Sequence, residues 1–142
     1  MVLYRYELFC EDEPQDVGFL VGIDDLGLSC EKEEYLLNLF ENLKIPNIPN
    51  MRNTVSLFTK QGVNNFNNAI NELLKAYDDS VFDIACVKIN LPLEEEDSIV
   101  YQDKNQVCLK KETYEKMQKS TTLIATDDEI LQYFVEENEV ER

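Results

Sequence analysis

Residues 2–10, VLYRYELFC, alternate strictly between two faces, and no other segment constrains the fold as strongly. A period of two is the pattern of a β-strand, in which successive side chains point to opposite sides. Arg5 and Glu7 lie on one side with Leu3 and Phe9. The other side is uniformly apolar and consists of Val2, Tyr4, Tyr6, Leu8 and Cys10. The pattern predicts a strand whose apolar side is covered by another layer.

Three segments have the sequence pattern of helices that could form this layer. Ser29 is a typical N-cap for a helix over about 30–43, because Glu side chains follow it in the first turn and favour the positive end of the helix dipole. The apolar spacing over 60–77 predicts the strongest helix, although its many Asn residues require that packing stabilise it. A capping box at 126–129 predicts a last helix.

The remaining segments predict further strands and connections. TVSLFT (54–59) and VFDIACVKINL (81–91) have strand patterns, and SIVYQ and QVCLK flank a turn at 103–105 as a β-hairpin. Residues 11–16 and 94–97 are predicted acidic loops, 17–23 a short strand or bulged turn, and 112–119 a short polar helix.

Together these elements predict the α+β class. We expect a single domain over 1–142, with a mainly antiparallel sheet of about five strands and two or three helices packed on one face. Residues 136–142 are a candidate disordered tail.

The charge of the chain is strongly negative. The 142 residues contain 29 acidic and 13 basic side chains, which gives a formal net charge of -16. The charge is -8 over residues 1–50, zero over 51–90, -2 over 91–126 and -6 over 127–142. Phosphate backbones and anionic lipid headgroups attract Lys and Arg, so we expect neither direct nucleic-acid binding nor membrane docking.

The chain has no histidine, which excludes Ser-His and Cys-His nucleophile systems and His-containing zinc sites. It also has no EF-hand loop and no glycine-rich phosphate motif, so we predict neither a metal nor a cofactor. No apolar stretch approaches the roughly 18 residues of a membrane helix, and no signal peptide is recognisable. We therefore expect a cytoplasmic protein whose Cys10, Cys30, Cys86 and Cys108 are reduced structural thiols.

The acidic residues cluster in predicted loops and helix ends, and two interpretations remain open. They could simply keep a small protein soluble. They could instead imitate a phosphate backbone and bind the basic surface of a nucleic-acid-handling protein, as phage or mobile-element inhibitors and immunity proteins do. The second hypothesis predicts a non-enzymatic partner-binding surface at Glu11, Asp12, Glu13, Asp16, Asp24, Asp25, Glu31, Glu33, Glu34, Glu94, Glu95, Glu96 and Asp97.

The alternative function is a small-molecule or nucleotide-binding domain. Aromatic side chains of the strands and helices, Tyr4, Tyr6, Phe58, Phe66 and Tyr101, would then line a pocket, although such residues are more often core. Arg5 is the only basic residue among the first 31 positions. We expect it to pair with Glu7 or another acid, or to receive an anionic ligand.

Three short segments are similar in order to a pattern of some ADP-ribosyltransferases. Those enzymes place an Arg in an early strand, a Ser in a middle strand and a Glu beside a late one. Here the segments are Tyr4-Arg5-Tyr6, 55–59 with Ser56, and 101–107. The resemblance implies a degenerate transferase-like fold without activity, because Gln106 occupies the position where the Glu would be sought and cannot act as a carboxylate.

Overall fold

A computed structural model of the chain describes residues 1–10, 13–18, 23, 26–44, 46–49, 51–77 and 82–124. The strands are β1 (Val2–Cys10), β2 (Glu13–Gly18), β3 (Thr54–Thr59), β4 (Phe82–Asn90), β5 (Ile99–Gln102), β6 (Gln106–Lys110) and β7 (Lys119–Ile124). The α-helices are α1 (Cys30–Asn38), α2 (Lys60–Asn65), α3 (Asn67–Tyr77) and α4 (Lys111–Lys116). We call the 3-10 helix Leu93–Ser98 the acidic 3-10 helix. The predicted α+β class is confirmed.

The strands within the described residues form one antiparallel sheet in the order β5-β6-β3-β1-β4-β7, with β2 also paired to β1. One edge of β1 pairs with β4 along its whole length. Its other edge pairs with β3 at Leu3 and Tyr4, and with β2 from Glu7 onward. β1 is therefore the central strand and changes neighbour on that edge around Arg5.

Helices α1, α2 and α3 cover one side of the sheet, which we call the helix face. Tyr4, Tyr6 and Leu8 are buried there, as the alternation of β1 predicts. The helices and the residues just after α1 and α2 contribute to the same core, which includes Leu36, Phe40, Val63, Phe66, Ala69, Ile70, Leu73, Leu74 and Tyr77. Burial of these apolar side chains is the main term that holds the layer to the sheet. The predicted packing of two or three helices on one face is confirmed.

Helix α4 lies on the opposite side of the sheet, which we call the α4 face. The core on this face consists of Leu3, Val55, Leu57, Val87, Ile89, Leu91, Val107, Leu109 and Tyr114. The helix predicted over 112–119 is therefore present, but it ends at Lys116. Both faces of the sheet carry apolar side chains, and helices cover each of them: α1, α2 and α3 on one face and α4 on the other.

Two strands differ from the sequence predictions. Residues 13–16, predicted as loop, belong to β2, because their backbone pairs with the second half of β1. Pro14 is tolerated there since β2 pairs, within the described part of the chain, with β1 alone. The sequence does not predict β7, because its Lys-Ser-Thr-Thr start has no apolar alternation; this strand forms by pairing with β4.

The helix predicted over 60–77 is two helices that meet at Phe66. Phe66 has φ -108° and ψ 17°, outside the helical values. Its ring stacks on Phe40, with centroids 5.7 Å apart, and also contacts Phe58. In a segment rich in Asn, helix propensity is weak, and the aromatic packing decides the backbone path.

Other predictions are confirmed closely. Ser29 Oγ accepts a hydrogen bond from Lys32 N at 3.2 Å, so Ser29 is the N-cap of α1, although this helix ends at Asn38 and not near 43. β3 has the predicted bounds, and β5 and β6 form the predicted hairpin. The helix predicted after the 126–129 capping box and the tail from 136 lie outside the described residues.

Candidate functional site

A cluster of hydrogen-bonded polar side chains surrounds the turn of the β5–β6 hairpin. Asp103 Oδ1 accepts hydrogen bonds from the backbone N of Asn105 at 2.8 Å and of Gln106 at 3.0 Å. Tyr101 Oη donates to Asp103 Oδ2 at 2.8 Å. Partial burial acts to raise the pKa of Asp103, but these donors outweigh it and hold the pKa below its ordinary value. The ionised carboxylate thus holds the turn in shape.

Gln106 extends this cluster into the protein. Ser56 Oγ donates to Gln106 Oε1 at 2.9 Å, while Gln106 Nε2 donates to the Lys44 carbonyl and, at 3.5 Å, to Asp103 Oδ2. The Ser56 hydroxyl, the Gln106 carboxamide and the Asp103 carboxylate are therefore hydrogen-bonded in series, in the same order of groups as a Ser-His-Asp triad but with an amide in place of the imidazole. A carboxamide does not accept a proton at neutral pH, so this chain of contacts orients Ser56 without activating it as a nucleophile.

The same hairpin turn is locked against the start of α2. Thr59 is the N-cap of α2: its Oγ1 accepts from Gly62 N at 3.0 Å and donates to the Lys104 carbonyl at 2.6 Å. Thr59 N donates to the Asn105 carbonyl at 3.0 Å, and Asn65 Nδ2 donates to Asn105 Oδ1 at 2.9 Å. These contacts satisfy the buried polar groups of the turn, which is the behaviour of a structural network.

Arg5 lies on the α4 face in a second polar cluster. Its Nε bonds Glu7 Oε1 at 3.2 Å, and its Nη1 donates to the Ser56 carbonyl at 3.0 Å. The ion pair with Glu7 predicted from the sequence is confirmed. The alternative prediction, an anionic ligand at Arg5, would have to displace these partners or use the remaining nitrogen.

Tyr114 of α4 completes this cluster. Its Oη donates to Glu7 Oε1 at 2.5 Å, its ring lies 5.8 Å from Arg5 Cζ, and Lys119 Nζ lies 4.5 Å from the ring centroid. Burial, and then the hydrogen bond to Glu7, raise the pKa of Tyr114 far above its ordinary value. The phenol therefore stays protonated and fastens α4 to β1.

The structure brings together some of the residues of the ADP-ribosyltransferase-like pattern but not all of their side chains. Ser56 and Gln106 are hydrogen-bonded on the helix face, because Ser56 lies two residues from Phe58, the partner of Tyr4. The Arg5 side chain lies on the α4 face, and its hydrogen bond to Ser56 is to the backbone carbonyl and not to the hydroxyl. The Arg and Ser side chains thus do not share a pocket.

The aromatic side chains of the pocket hypothesis are mostly core residues. Tyr4, Tyr6, Phe58 and Phe66 are buried in the core on the helix face. Tyr101 is half-buried and is bonded to Asp103. An open groove of about 620 Å³ lies elsewhere, beside the Pro49 loop, and its lining includes Thr54, Val100 and Lys110.

The predicted acidic surface is described in two places. On α1, Glu31 and Glu34 are exposed and Glu33 is half-buried. On the acidic 3-10 helix, Glu94, Glu96 and Asp97 are exposed, whereas Glu95 pairs with Lys116 Nζ at 3.2 Å. The other predicted residues are not described: Glu11, Asp12, Asp24 and Asp25 lie outside the described residues, and Glu13 and Asp16 are described only by their backbone in β2.

The two described acidic segments lie on opposite sides of the sheet. α1 packs through Leu36 into the core of the helix face, and Phe40, which follows the helix, is buried in the same core. The acidic 3-10 helix runs between Leu91 and Ile99, which belong to the α4 face, and it pairs with α4 through Glu95. A single flat partner surface can therefore contact one of these segments but not both.

Three further features of the described residues concern the cysteines, possible metal sites and the length of the helices. Cys30 is exposed, Cys86 and Cys108 are buried, and none of these three residues is in a disulfide. Over the described residues, no group of three or more Cys, Asp or Glu is arranged to hold a metal ion. None of the helices in this part of the chain is long and apolar enough to cross a bilayer.

Comparison of the chain with protein-family models, with curated proteins and with solved structures found no match.

Proposed function

We propose that this protein is a non-enzymatic, acidic protein-binding module that occupies a basic surface of a nucleic-acid-handling protein. Such a module would act as an inhibitor or antagonist, in the manner of phage or mobile-element anti-defence proteins and of immunity proteins. The observation that carries the proposal is the unneutralised charge at the surface. Within the described part of the chain, Glu31, Glu34, Glu94, Glu96 and Asp97 are exposed and outside its salt bridges.

The physical advantage of such a surface is long-range attraction. Exposed carboxylates that are not paired within the chain contribute their full field to the encounter with a positively charged partner. Salt screens this field over about 10 Å at 0.1 M ionic strength, so the association rate should fall steeply as salt rises. The formal net charge of -16 increases the effect over the whole surface.

Two further observations support a binding role over a catalytic one. Ser56 is bonded to the carboxamide of Gln106, which cannot act as a general base. Arg5 is engaged by Glu7 and by the Ser56 carbonyl. Both Arg5 and Ser56 are thus bound to other parts of the sheet. We assign the activity to the cytoplasm, where free thiols such as Cys30 stay reduced.

The experiment is affinity capture followed by a test with the purified partner. The full chain, immobilised by a tag, captures proteins from its cell of origin at physiological salt, and bound proteins are eluted by raising the salt. We then measure binding of the purified eluted protein by surface plasmon resonance, with duplex DNA and RNA as competitors.

We expect a basic partner whose association rate falls with salt and for whose surface nucleic acid competes. The matched comparison is Glu31→Lys/Glu34→Lys against Glu94→Lys/Glu96→Lys, which change the net charge equally on opposite sides of the sheet. Binding that is insensitive to salt, to nucleic acid and to both double variants would contradict the proposal.

A further inference from the structure

An open groove of about 620 Å³ lies at one end of the sheet. Its floor consists of the ends of three adjacent strands, with Thr54 of β3 paired to Lys110 of β6 and Val100 on the neighbouring β5. One wall is the loop that contains Pro49, and the other wall is the start of α4. The described residues that line the groove belong neither to the polar cluster of the hairpin turn nor to that of Arg5.

The groove carries both signs of charge, whereas the chain as a whole is strongly acidic. Lys110 and Lys111 contribute two cations and Glu112 and Glu115 two carboxylates, so their formal charges cancel. Lys110, Glu112 and Glu115 are exposed, and over the described residues they lie outside the salt bridges. These three charged groups are therefore accessible to a partner.

Apolar side chains lie beside these charges. Val100 is 40% exposed, and the β-bulge between Ile99 and Tyr101 leaves it outside the residue pairs that β5 forms with β6. Ile48 is half-buried and Pro49 is exposed. An apolar surface at the edge of a sheet is a site at which another chain can associate.

The mixture of charges decides which partner the groove fits. A basic surface would meet Lys110 and Lys111, and an acidic surface would meet Glu112 and Glu115, so each would bring like charges into contact. A complementary surface must present carboxylates opposite the lysines and cations opposite the glutamates. The groove itself has this composition, and a contact between two identical surfaces related by a twofold axis is reciprocal.

We propose that the groove is the interface of a homodimer, in which Lys110 of each copy faces Glu112 and Glu115 of the other. The twofold arrangement places the α4 wall of one copy in the groove of the second, against Val100 and Pro49. This interface is independent of the proposed function, since its occupant is a second copy of the chain and not a basic partner.

The oligomeric state is measured by sedimentation velocity of the full chain, at concentrations from about 1 μM to about 500 μM. An ionic strength of about 0.15 M screens the repulsion between two acidic copies beyond about 8 Å, whereas ion pairs across the interface are closer than this. We expect the average mass to rise with concentration from the 16.6 kDa of the monomer toward twice that value. A chain that remains monomeric at about 500 μM overturns the inference and leaves the groove to a partner of another kind.

The location of the interface is tested by exchanging its charges. Lys110→Glu and Glu112→Lys/Glu115→Lys each place like charges across the twofold axis, and we expect each variant to dimerise at least about tenfold more weakly. An equimolar mixture of the two variants restores opposite charges in both halves of the contact. We expect this mixture to dimerise about as tightly as the wild type, which would also show that both variants are folded.

The matched control is Glu31→Lys/Glu34→Lys on α1, which changes the net charge as much as Glu112→Lys/Glu115→Lys does but lies away from the groove. We expect the control to dimerise at least as tightly as the wild type, because its net charge is smaller in magnitude. If the groove variants dimerise like the wild type, or if their mixture dimerises no better than each variant alone, the groove is not the interface and the inference is wrong.

Discussion

The backbone of Gly62 lies directly against the carbonyl of Asn105, and a Cβ at Gly62 would overlap that carbonyl. The contact joins the first turn of α2 to the β5–β6 hairpin. It is fixed on both sides by the hydrogen bonds of Thr59 to Gly62 N and to the Lys104 carbonyl.

Gly62→Ala should therefore destabilise the protein by about 2–3 kcal/mol, because the overlap is with rigid backbone and cannot be relieved by a side-chain rotation. The control is Gly27→Ala. Gly27 has φ +68°, but no atom lies within 4 Å of the place that a Cβ would occupy. Its substitution should cost only about 1 kcal/mol, from the left-handed backbone. Urea denaturation measures both, and a Gly62→Ala chain as stable as the wild type would contradict the close contact with Asn105.

Asp103 predicts an acid-sensitive hairpin. Its pKa is held below the ordinary value of 3.8 in the folded chain, so the ionised form favours folding. The contribution is fully present above pH 3.8 and is lost as pH falls through the lower folded pKa.

Asp103→Asn keeps the shape of the side chain and removes its charge. We expect the wild type to be more stable than this variant at neutral pH, and the difference in the free energy of unfolding to shrink toward zero in acid. Denaturation curves from pH 7 to pH 2 test this, with the exposed Glu34→Gln as the control. A difference that stays constant down to pH 2 would refute the role given to the carboxylate.

Tyr114 should be important for stability through its hydroxyl. Tyr114→Phe removes the hydrogen bond to Glu7 while retaining the ring, and we expect a loss of about 2 kcal/mol, typical of a bond to a charged group. Tyr35→Phe, at an exposed position of α1, should change stability by less than about 0.5 kcal/mol. Thermal and urea denaturation compare the two.

The raised pKa of Tyr114 also has an alkaline consequence. A phenol that stays protonated in the folded state stabilises it below pH 10.0, its ordinary pKa, and this stability is lost as pH rises above that value. Over the pH range in which both proteins stay folded, the phenolate absorbance of the wild type and of Tyr114→Phe should therefore rise by the same amount. A larger phenolate signal in the folded wild type near pH 10 would mean that Tyr114 ionises normally.

NAD⁺ should not stabilise the chain. The side chains of Arg5 and Ser56 lie on opposite faces of the sheet, so the ADP-ribosyltransferase-like order does not form one ligand site. A ligand that binds the folded state raises the melting temperature according to its occupancy. We expect millimolar NAD⁺ to leave the melting temperature unchanged. An increase that Ser56→Ala and Arg5→Gln both abolish would instead support the transferase-like hypothesis.

The parts of the fold that sequence predicts best are those fixed by local chemistry. The hairpin around 103–105 is predicted because its strands are adjacent and Asp103 suits the turn. The start of α1 follows from Ser29 and the Glu side chains that come after it. The predictions differ from the structure at β2 and β7, because the polar residues of these strands have no strand pattern. Both strands form by pairing with β1 and β4. Pairing between distant segments leaves no local signal.

The same limit applies to the functional site. The ion pair of Arg5 and Glu7 follows from their spacing on one strand. The bonds from Gln106 to Lys44 and to Ser56 join segments about 50 or more residues apart and have no sequence signature. Likewise, nothing in the sequence distinguishes the location of the acidic residues of α1 from that of the acidic 3-10 helix. Only the sheet between the two segments shows that they form separate surfaces.

The three partners of β1 determine when the sheet can form during synthesis. Its full-length partner is β4, at residues 82–90, so one whole edge of the central strand stays open until those residues have been made. Pairing over such separations is slow, and an open apolar strand is a site of association between unfinished chains. The net charge of -8 over residues 1–50 is already present at that stage, and we expect repulsion between unfinished chains to oppose association through this open edge.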